Sequence, residues 1–327
     1  MYIITIDSGT TNTRIYLVDG SDYRIIDMMK KNVGVRNAAI NGSADELKRE
    51  LRDGLGDILR RNRCEPADIA YIAAAGMITS NLGLVQVPYV TAPCTKAALS
   101  AGSIVKRLPE FHGIPCVFIP GMKNACRGES FDDLDVMRGE EVETLGLIRQ
   151  LHLSHKGLLI LPGSHTKFVM TQDDVIMSCK STLSGEMLYA IQRNTILSDS
   201  VGQSLIETAD FDALMLGFRA GRRNGLTRAL YQVRLLQLFG KMNRNQRANF
   251  YVGAVLASDI ATFQRLYDET GPDWIVVGGS EPLRGAFACL LKDLRCPNVI
   301  EASEEQVMKS AVIGAIEVGN LRMGQVP

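Results

Sequence analysis

Asp7 is followed by Ser8, Gly9, Thr10, Thr11 and Asn12, and apolar residues flank the run on both sides: IITIDSGTTNTRIYLVD (3–19). Small residues in such a turn let the backbone come close to an anion, and N–H groups beside Ser and Thr hydroxyls donate to phosphate oxygens. A second stretch, LLILPGSHTKFVMTQD (158–173), repeats the plan. Four apolar residues lead into a small or hydroxylated turn (Gly163, Ser164, His165, Thr166), then a basic residue, Lys167, and a second apolar strand ending in Asp. A third strand, WIVVGGSEP (274–282), ends in Gly278, Gly279 and Ser280. One such turn is weak evidence for a phosphate site, whereas two matching hairpins point to paired loops that hold a chain of phosphates. The sequence has no G-x-x-x-x-G-K-[ST] run and no strand leading into G-x-G-x-x-G. It is therefore neither a P-loop protein nor a usual dinucleotide fold.

The charged residues near these turns have two readings each. Asp7 either caps its turn or holds Mg²⁺ through water, since Mg²⁺ keeps most of its hydration and takes few carboxylates. Lys167 either neutralises phosphate charge or is a solvated strand residue. In DVMRGEEVETLGLIRQL (135–151), Gly139 opens a helix and is followed by Glu140 and Glu141. Both acids suit the positive end of the helix dipole. Helical geometry turns them about 100° apart, and Glu141 shares the apolar face of Leu145 and Ile148. A carboxylate there that projects into a cleft can accept the proton of an attacking hydroxyl, worth about 10²–10⁴ in rate. Arg138 is placed to grip a carboxylate in bidentate fashion. Arg36, in VGVRN (33–37), is a second candidate for an anionic substrate. Ser80 and Asn81, in AAGMITSNLG (74–83), either bind substrate hydroxyls or satisfy their own turn.

The elements that must position these residues follow from hydrophobic periodicity. YIITID and TRIYLVD read as strands around the first turn, with a third strand near RIIDMMKKNV. Residues 43–62 read as a helix with Leu47, Leu51, Leu55, Ile58 and Leu59 on one face, opened by a capping box of Ser43 and Glu46. IAYIAAAG (69–76) is a continuous apolar run, as a buried parallel strand requires. A helix over 95–107, a strand over 115–121 and a helix over 139–151 complete an α/β layer. STLSGEM (181–187) reads as a helix start with Ser184 as cap; 201–268 is helix-rich, and a last helix covers 304–322.

A chain of 327 residues exceeds what one core usually fills, so two domains are expected. The repeat puts their boundary near 152, dividing 1–152 from 153–327. Lys+Arg and Asp+Glu both number 36, which argues against a nucleic-acid or anionic-membrane partner. No apolar run reaches the roughly 18 residues that span a bilayer, and the opening run lacks the basic start of a signal peptide. A cytoplasmic location is expected. The seven cysteines include no C-x-x-C, so neither a disulfide framework nor a zinc or cluster site is indicated. His152 and His155 have no acidic or thiol partner near them in sequence.

With its paired hairpins and late Gly-Gly-Ser, the chain resembles the actin, hexokinase and Hsp70 superfamily, and more narrowly the 2-dehydro-3-deoxygalactonokinases. The resemblance is carried by DSGTTNTR (7–14), GVRN (34–37), AAGMITSNLG (74–83), VMRGEE (136–141), LPGSHTKFV (161–169), SGE (184–186), LYQVR (230–234) and VVGGS (276–280). It implies two similar RNase H-like α/β domains with ATP in an interdomain cleft. It also implies Mg²⁺-dependent phosphorylation of the 6-hydroxyl of 2-dehydro-3-deoxy-D-galactonate. On that resemblance Gly9–Asn12 and Gly163–Lys167 are the phosphate loops and Gly278–Ser280 lie near the adenosine. Arg14, Arg36, Ser80, Asn81 and Arg138 fall to the sugar acid. In related sugar kinases a Gly-Asp at a helix start supplies the base, an analogy that favours Glu140, while the helical face favours Glu141. Ser8 and Ser184 depart from the family pattern, which usually has an aromatic residue and often a Thr there. The alternatives are a kinase of another keto-deoxy or aldonic acid, and a nucleotide-switched, non-enzymatic protein on the same fold. The sequence leaves the oligomeric state open, a homodimer included.

Overall fold

The computed structural model describes residues 1–126, 128 and 130–325. Along the chain, β1 (Tyr2–Ser8), β2 (Thr13–Asp19) and β3 (Ile25–Lys31) precede α1 (Val35–Asn41) and α2 (Asp45–Arg61). Then come β4 (Ile69–Gly76), β5 (Val90–Thr91), α3 (Lys96–Gly102), β6 (Ile104–Arg107), β7 (Pro115–Phe118), β8 (Met122–Lys123), β9 (Val136–Met137) and α4 (Glu140–Leu151). The next strands are β10 (Lys156–Leu161), β11 (Thr166–Gln172) and β12 (Val175–Thr182). A helical stretch follows: α5 (Ser184–Asn194), α6 (Leu197–Val201), α7 (Phe211–Asn224), α8 (Leu226–Leu238) and α9 (Arg244–Thr270). The chain closes with β13 (Trp274–Val277), α10 (Leu283–Asp293), β14 (Val299–Glu301) and α11 (Glu304–Met323).

Two sheets carry the fold, and their strand orders match. One runs β3-β2-β1-β4-β7-β6 and the other β12-β11-β10-β13-β14. In each, a hairpin strand that opens the sheet pairs in parallel with the strand after the first long connection: β1 with β4, and β10 with β13. The β3-β2-β1-β4-β7 block of one sheet thus has its counterpart in the whole of the other. This bears out the expected pair of similar RNase H-like α/β layers. β1 and β4 are apolar almost throughout because layers cover both their faces. In the first layer Leu47, Leu51, Leu55, Ile58 and Leu59 of α2 pack on Ile4, Ile6 and Ile72. In the second, Phe250, Tyr251, Val255 and Phe263 of α9 pack with Phe168, Ile275 and Phe287.

The chain separates into two compact units: Met1–Ser154 with Gln172–Cys179 and Glu305–Pro327, and His155–Thr171 with Lys180–Glu304. The division expected from sequence, 1–152 against 153–327, is corrected in two places. The last helix belongs with the first unit because polar contacts hold it there. Tyr71 Oη donates to Asn320 Oδ1 at 2.6 Å, and Glu317 pairs with Lys96 at 2.5 Å and Arg149 at 3.2 Å. The tip of the β11–β12 hairpin also belongs there. Asn124 exchanges hydrogen bonds of 2.9 Å with both backbone groups of Cys179, and Cys94 does the same with Ile176.

Two local expectations also change. The helix expected over 95–107 stops at Gly102, and the β-branched Ile104 and Val105 continue as a strand antiparallel to β7. The Ser43–Glu46 capping box does not form. Glu46 instead accepts from the Asn37 and Asn41 amides of α1, at 3.3 and 2.9 Å, while Ser43 Oγ accepts from Asp45 N–H at 3.1 Å.

Candidate active site

In the first unit the turn between β1 and β2 is closed by Gly9 N–H donating to Asn12 O at 2.8 Å. Thr10 and Thr11 at its tip are exposed. Among the described residues no backbone carbonyl accepts from the N–H groups of Thr10 and Thr11. Beneath the tip, Ser8 Oγ and Thr13 Oγ1 lie 3.0 Å apart, and Thr13 Oγ1 donates to Val33 O at 2.8 Å. That bond draws the start of α1 under the turn. Arg36 N–H donates to Thr10 O at 2.9 Å, and a Cβ on Gly34 would sit 2.4 Å from the same carbonyl oxygen. Gly34 is therefore the residue that lets α1 dock, and docking leaves the exposed Arg36 side chain beside the turn.

Asp7 and Arg14 are cross-strand partners, with Arg14 Nη1 3.1 Å from Asp7 Oδ2. The Asp7 side chain keeps 32% of its surface exposed. Even so, the apolar walls of its strand push its carboxyl above the ordinary range, against the pull of the Arg14 charge. Arg14 is thus first of all the counter-charge of Asp7.

The ends of β1 and β4 and the start of α4 converge: a Cβ on Gly76 would meet Ser8 O, and one on Gly139 would meet Gly76 Cα. At this junction the two glutamates separate. Glu141 is fully buried, and its two carboxylate oxygens both accept from Gly139 N–H, at 2.8 and 2.9 Å. Burial lifts its pKa to about 8, the charge of Glu140 adds to the rise, and the N–H groups of Glu141 and Gly139 hold it back. The expectation that the apolar helix face would aim Glu141 into a cleft is corrected: that face turns inward. Glu140 is half-buried, and its Oε2 accepts from Arg138 N–H at 3.0 Å.

Arg138 is committed to its neighbours rather than free to clamp a ligand. Nη1 donates to Thr79 O at 2.8 Å and to Thr79 Oγ1 at 2.5 Å, and Nη2 donates to Val87 O at 3.0 Å. The guanidinium lies 4.2 Å from the centre of the Tyr89 ring. This fastens the loop 79–89, in which Ser80 is buried with its Oγ accepting from Leu82 N–H at 3.2 Å. Asn81 next to it is exposed.

The second unit repeats the loop architecture. Gly163 and Ser164 are exposed at the tip of the β10–β11 turn, and among the described residues no backbone carbonyl accepts from their N–H groups. Here α5 docks underneath: Glu186 N–H donates to Ser164 O at 2.8 Å, and a Cβ on Gly185 would fall 1.9 Å from Gly163 O. Gly185 therefore has the role of Gly34. His165 Nε2 is 3.4 Å from Glu186 Oε1. Two residues assigned from sequence to phosphate contact are instead buried below the turn. Thr166 is fully buried with its Oγ1 2.8 Å from Ser184 Oγ, and Lys167 donates to Ser181 Oγ at 2.7 Å. Ser184 faces inward to Thr166 and does not cap its helix.

Gly278 N–H donates to Ile160 O at 2.9 Å, which brings the Gly278–Ser280 segment beside the end of β10. Immediately after Ser280 a cavity of about 850 Å³ opens, lined by Glu207, Phe211, Asn249, Glu281, Gly285 and Lys292 among others. The residues named from sequence stop at its edge. Its wall comes from α7, α9 and α10, where the sequence carries no motif beyond helical periodicity.

The profile of the family described as 2-keto-3-deoxy-galactonokinase matches residues 7–313. The chain belongs to that family. The 2-dehydro-3-deoxygalactonokinase of Escherichia coli (strain K12) is 25% identical over 262 residues, covering 80% of this chain and 80% of that protein. A crystal structure from Sinorhizobium meliloti, described as a candidate 2-dehydro-3-deoxygalactonokinase, superposes with a TM-score of 0.76 at 21% identity. It covers 98% of this chain and 96% of its own. The activator of 2-hydroxyisocaproyl-CoA dehydratase from Clostridium difficile, solved with ADPNP, has a TM-score of 0.53 at 9% identity, covering 99% of this chain and 97% of its own. Both structural likenesses are of fold alone. Membership of a 2-keto-3-deoxy-galactonokinase family makes the chain a phosphotransferase, and the two turns, Asp7, Glu140 and the Gly278–Ser280 segment lie inside the matched span. No helix among the described residues is long and apolar enough to cross a membrane.

Proposed function

We propose that this protein transfers the γ-phosphoryl group of ATP to the 6-hydroxyl of 2-dehydro-3-deoxy-D-galactonate, a step of galactonate catabolism in the cytoplasm. The observation that carries the reading is the duplicated turn. Gly9–Asn12 and Gly163–His165 each end a buried strand and expose N–H donors, and each is braced by a helix start that only glycine fits. In this reading each turn is the phosphate loop of its own unit, and the cavity after Ser280 takes the adenosine of ATP. Aimed donors of this kind stabilise charge that develops on a transferring phosphoryl group.

Glu140 is the proposed base. It stands at the head of α4 within reach of solvent, whereas Glu141 is sealed. Arg36 is favoured over Arg138 for the substrate carboxylate, since its guanidinium is exposed beside the first turn. Asp7 suits a Mg²⁺ ion held through water. It offers one carboxylate at a loop end, and among the described residues no cluster of His, Cys, Asp and Glu offers a complete ligand set. Such an ion would supply positive charge to the nucleotide phosphates. Catalysis by this chain's own residues is then positioning, exclusion of water and removal of one proton.

The test is an ADP-release assay on 2-dehydro-3-deoxy-D-galactonate beside its gluconate epimer and unrelated aldonic acids. A turnover dependent on ATP and greatest with the galactonate is expected. Equal or greater turnover with another acid moves the substrate, and ATP binding without turnover on any sugar acid rejects the kinase reading.

A further inference from the structure

Asp259 lies midway along α9 with its side chain 2% exposed, between the core residues Val255, Leu256, Ile260 and Phe263. An acid among such neighbours is costly unless it is hydrogen-bonded. Burial pushes its carboxyl above the ordinary range, and the hydroxyls of Ser184, Thr182 and Thr166, which reach it, pull it back. These hydroxyls also touch one another, with Thr166 Oγ1 2.8 Å and Thr182 Oγ1 3.4 Å from Ser184 Oγ. The Oδ2 oxygen of Asp259 is buried with no partner. Ser184 and Thr166 are the two residues at which α5 and β11 meet under the Gly163–His165 turn.

We propose that Asp259 is a positioning residue for that turn. A carboxylate oxygen accepts hydrogen bonds, and each hydroxyl has a single proton to give. A Ser184 hydroxyl that gives its proton to Asp259 can only accept from Thr166 and Thr182, so the acid sets the direction of the bonds around Ser184. This holds Ser184 at the first position of α5 and Thr166 at the first position of β11. The turn is then fastened from below, through Glu186 N–H to Ser164 O, with its tip exposed. The sequence hides this residue: in VLASDIATF it is one polar position in a helix read for its apolar face. The inference rests on the reading that Gly163–His165 binds the phosphates of ATP.

The experiment compares wild type with Asp259→Asn, Thr166→Val and Ser184→Ala. It records kcat, the KM for ATP, the KM for the sugar acid, calorimetric binding of a non-hydrolysable ATP analogue with Mg²⁺, and Tm. Asn keeps the shape but adds a donor where the cluster needs only acceptance, so simple packing is preserved. The expected result for Asp259→Asn is a loss of about 10- to 100-fold in kcat/KM for ATP, the range for one hydrogen bond to a charged group. A weaker analogue affinity should accompany it, with the KM for the sugar acid within about twofold of wild type. Thr166→Val should give the same pattern, and combining it with Asp259→Asn should add little. Wild-type ATP kinetics in Asp259→Asn, or equal losses toward both substrates in step with a fall in Tm, overturns the proposal. Should Asp259→Asn fail to fold, the Thr166→Val and Ser184→Ala kinetics decide it by the same criterion. Wild-type protein that binds no ATP analogue rejects the phosphate-turn reading itself, and this proposal with it.

Discussion

Replacing Glu141 by Gln isolates one buried carboxyl and gives a stability difference with a predictable pH dependence. The Glu141 pKa rises from an ordinary 4.5 to about 8 in the folded chain, chiefly because burial penalises its charged form. Between those two values the folded state holds a proton that the unfolded state has released, so stability falls as pH rises. The contribution is intact below the unfolded value of 4.5 and is fully lost once the pH passes the folded value of about 8. Each pH unit in that window is worth about 1.4 kcal/mol. On that scale wild type has lost about 3 kcal/mol by pH 7. Gln carries no titrating proton and keeps one oxygen to accept from Gly139 N–H, so the Glu141→Gln variant escapes this loss. Urea unfolding of both proteins, followed by circular dichroism at pH values spanning the window, should show the variant gaining on wild type by about 1.4 kcal/mol per pH unit. At the acid end the two should be close, or the variant slightly weaker because one of two accepting oxygens is gone. If the difference between the two proteins stays flat across the window, Glu141 titrates as an ordinary carboxyl and its burial does not govern it.

Glu140→Gln should lower kcat about 10²- to 10⁴-fold, the usual worth of a general base, with Tm little changed. Glu141→Gln should keep activity at neutral pH within a few-fold, because wild-type Glu141 is already mostly protonated there. Steady-state kinetics on the pair therefore separates the two acids. Arg36→Met should raise the KM for the sugar acid about 10-fold or more and leave that for ATP near its starting value, as loss of one charge-assisted contact predicts. A drop in ATP affinity alone would move Arg36 to the phosphates. Gly185→Ala places a methyl carbon 1.9 Å from Gly163 O. That overlap should cost about 1–3 kcal/mol, seen as a lower Tm together with weaker ATP binding.

Much of the fold was legible because a layered α/β chain writes its strands as apolar runs and its helices as one-sided stripes. The alternation of β1 and β2 about Gly9–Asn12 reappears at β10 and β11, and the matching strand orders of the two sheets show the cause of that likeness. What stayed hidden depended on contacts distant in sequence. The return of α11 to the first unit rests on Tyr71 with Asn320 and Lys96 with Glu317, pairs more than two hundred residues apart. Helix 95–107 was overextended because Ile104 and Val105 suit either state until β7 offers them a ladder.

The site residues divide along the same line, and the division has a physical origin. The turns themselves are legible, since Gly, Ser, Thr and Asn announce a turn wherever they fall after a strand. Residues that brace the tips give the same signal: Thr166 and Lys167 are drawn under the turn by Ser184 and Ser181, and Arg138 donates to Thr79 and Val87. A polar side chain beside a phosphate-type turn has two possible uses, and local sequence gives the same signal for both. Burial decides between them, because a group within the protein must satisfy its own hydrogen bonds before it can offer any outward. By that criterion Thr10, Thr11, Arg36 and Asn81, which are exposed, and the half-buried Glu140 are the proposed ligand contacts of the first unit. These are a donor tip, a cation, an amide and a carboxylate, and a reaction that binds anions and removes one proton calls for each of them.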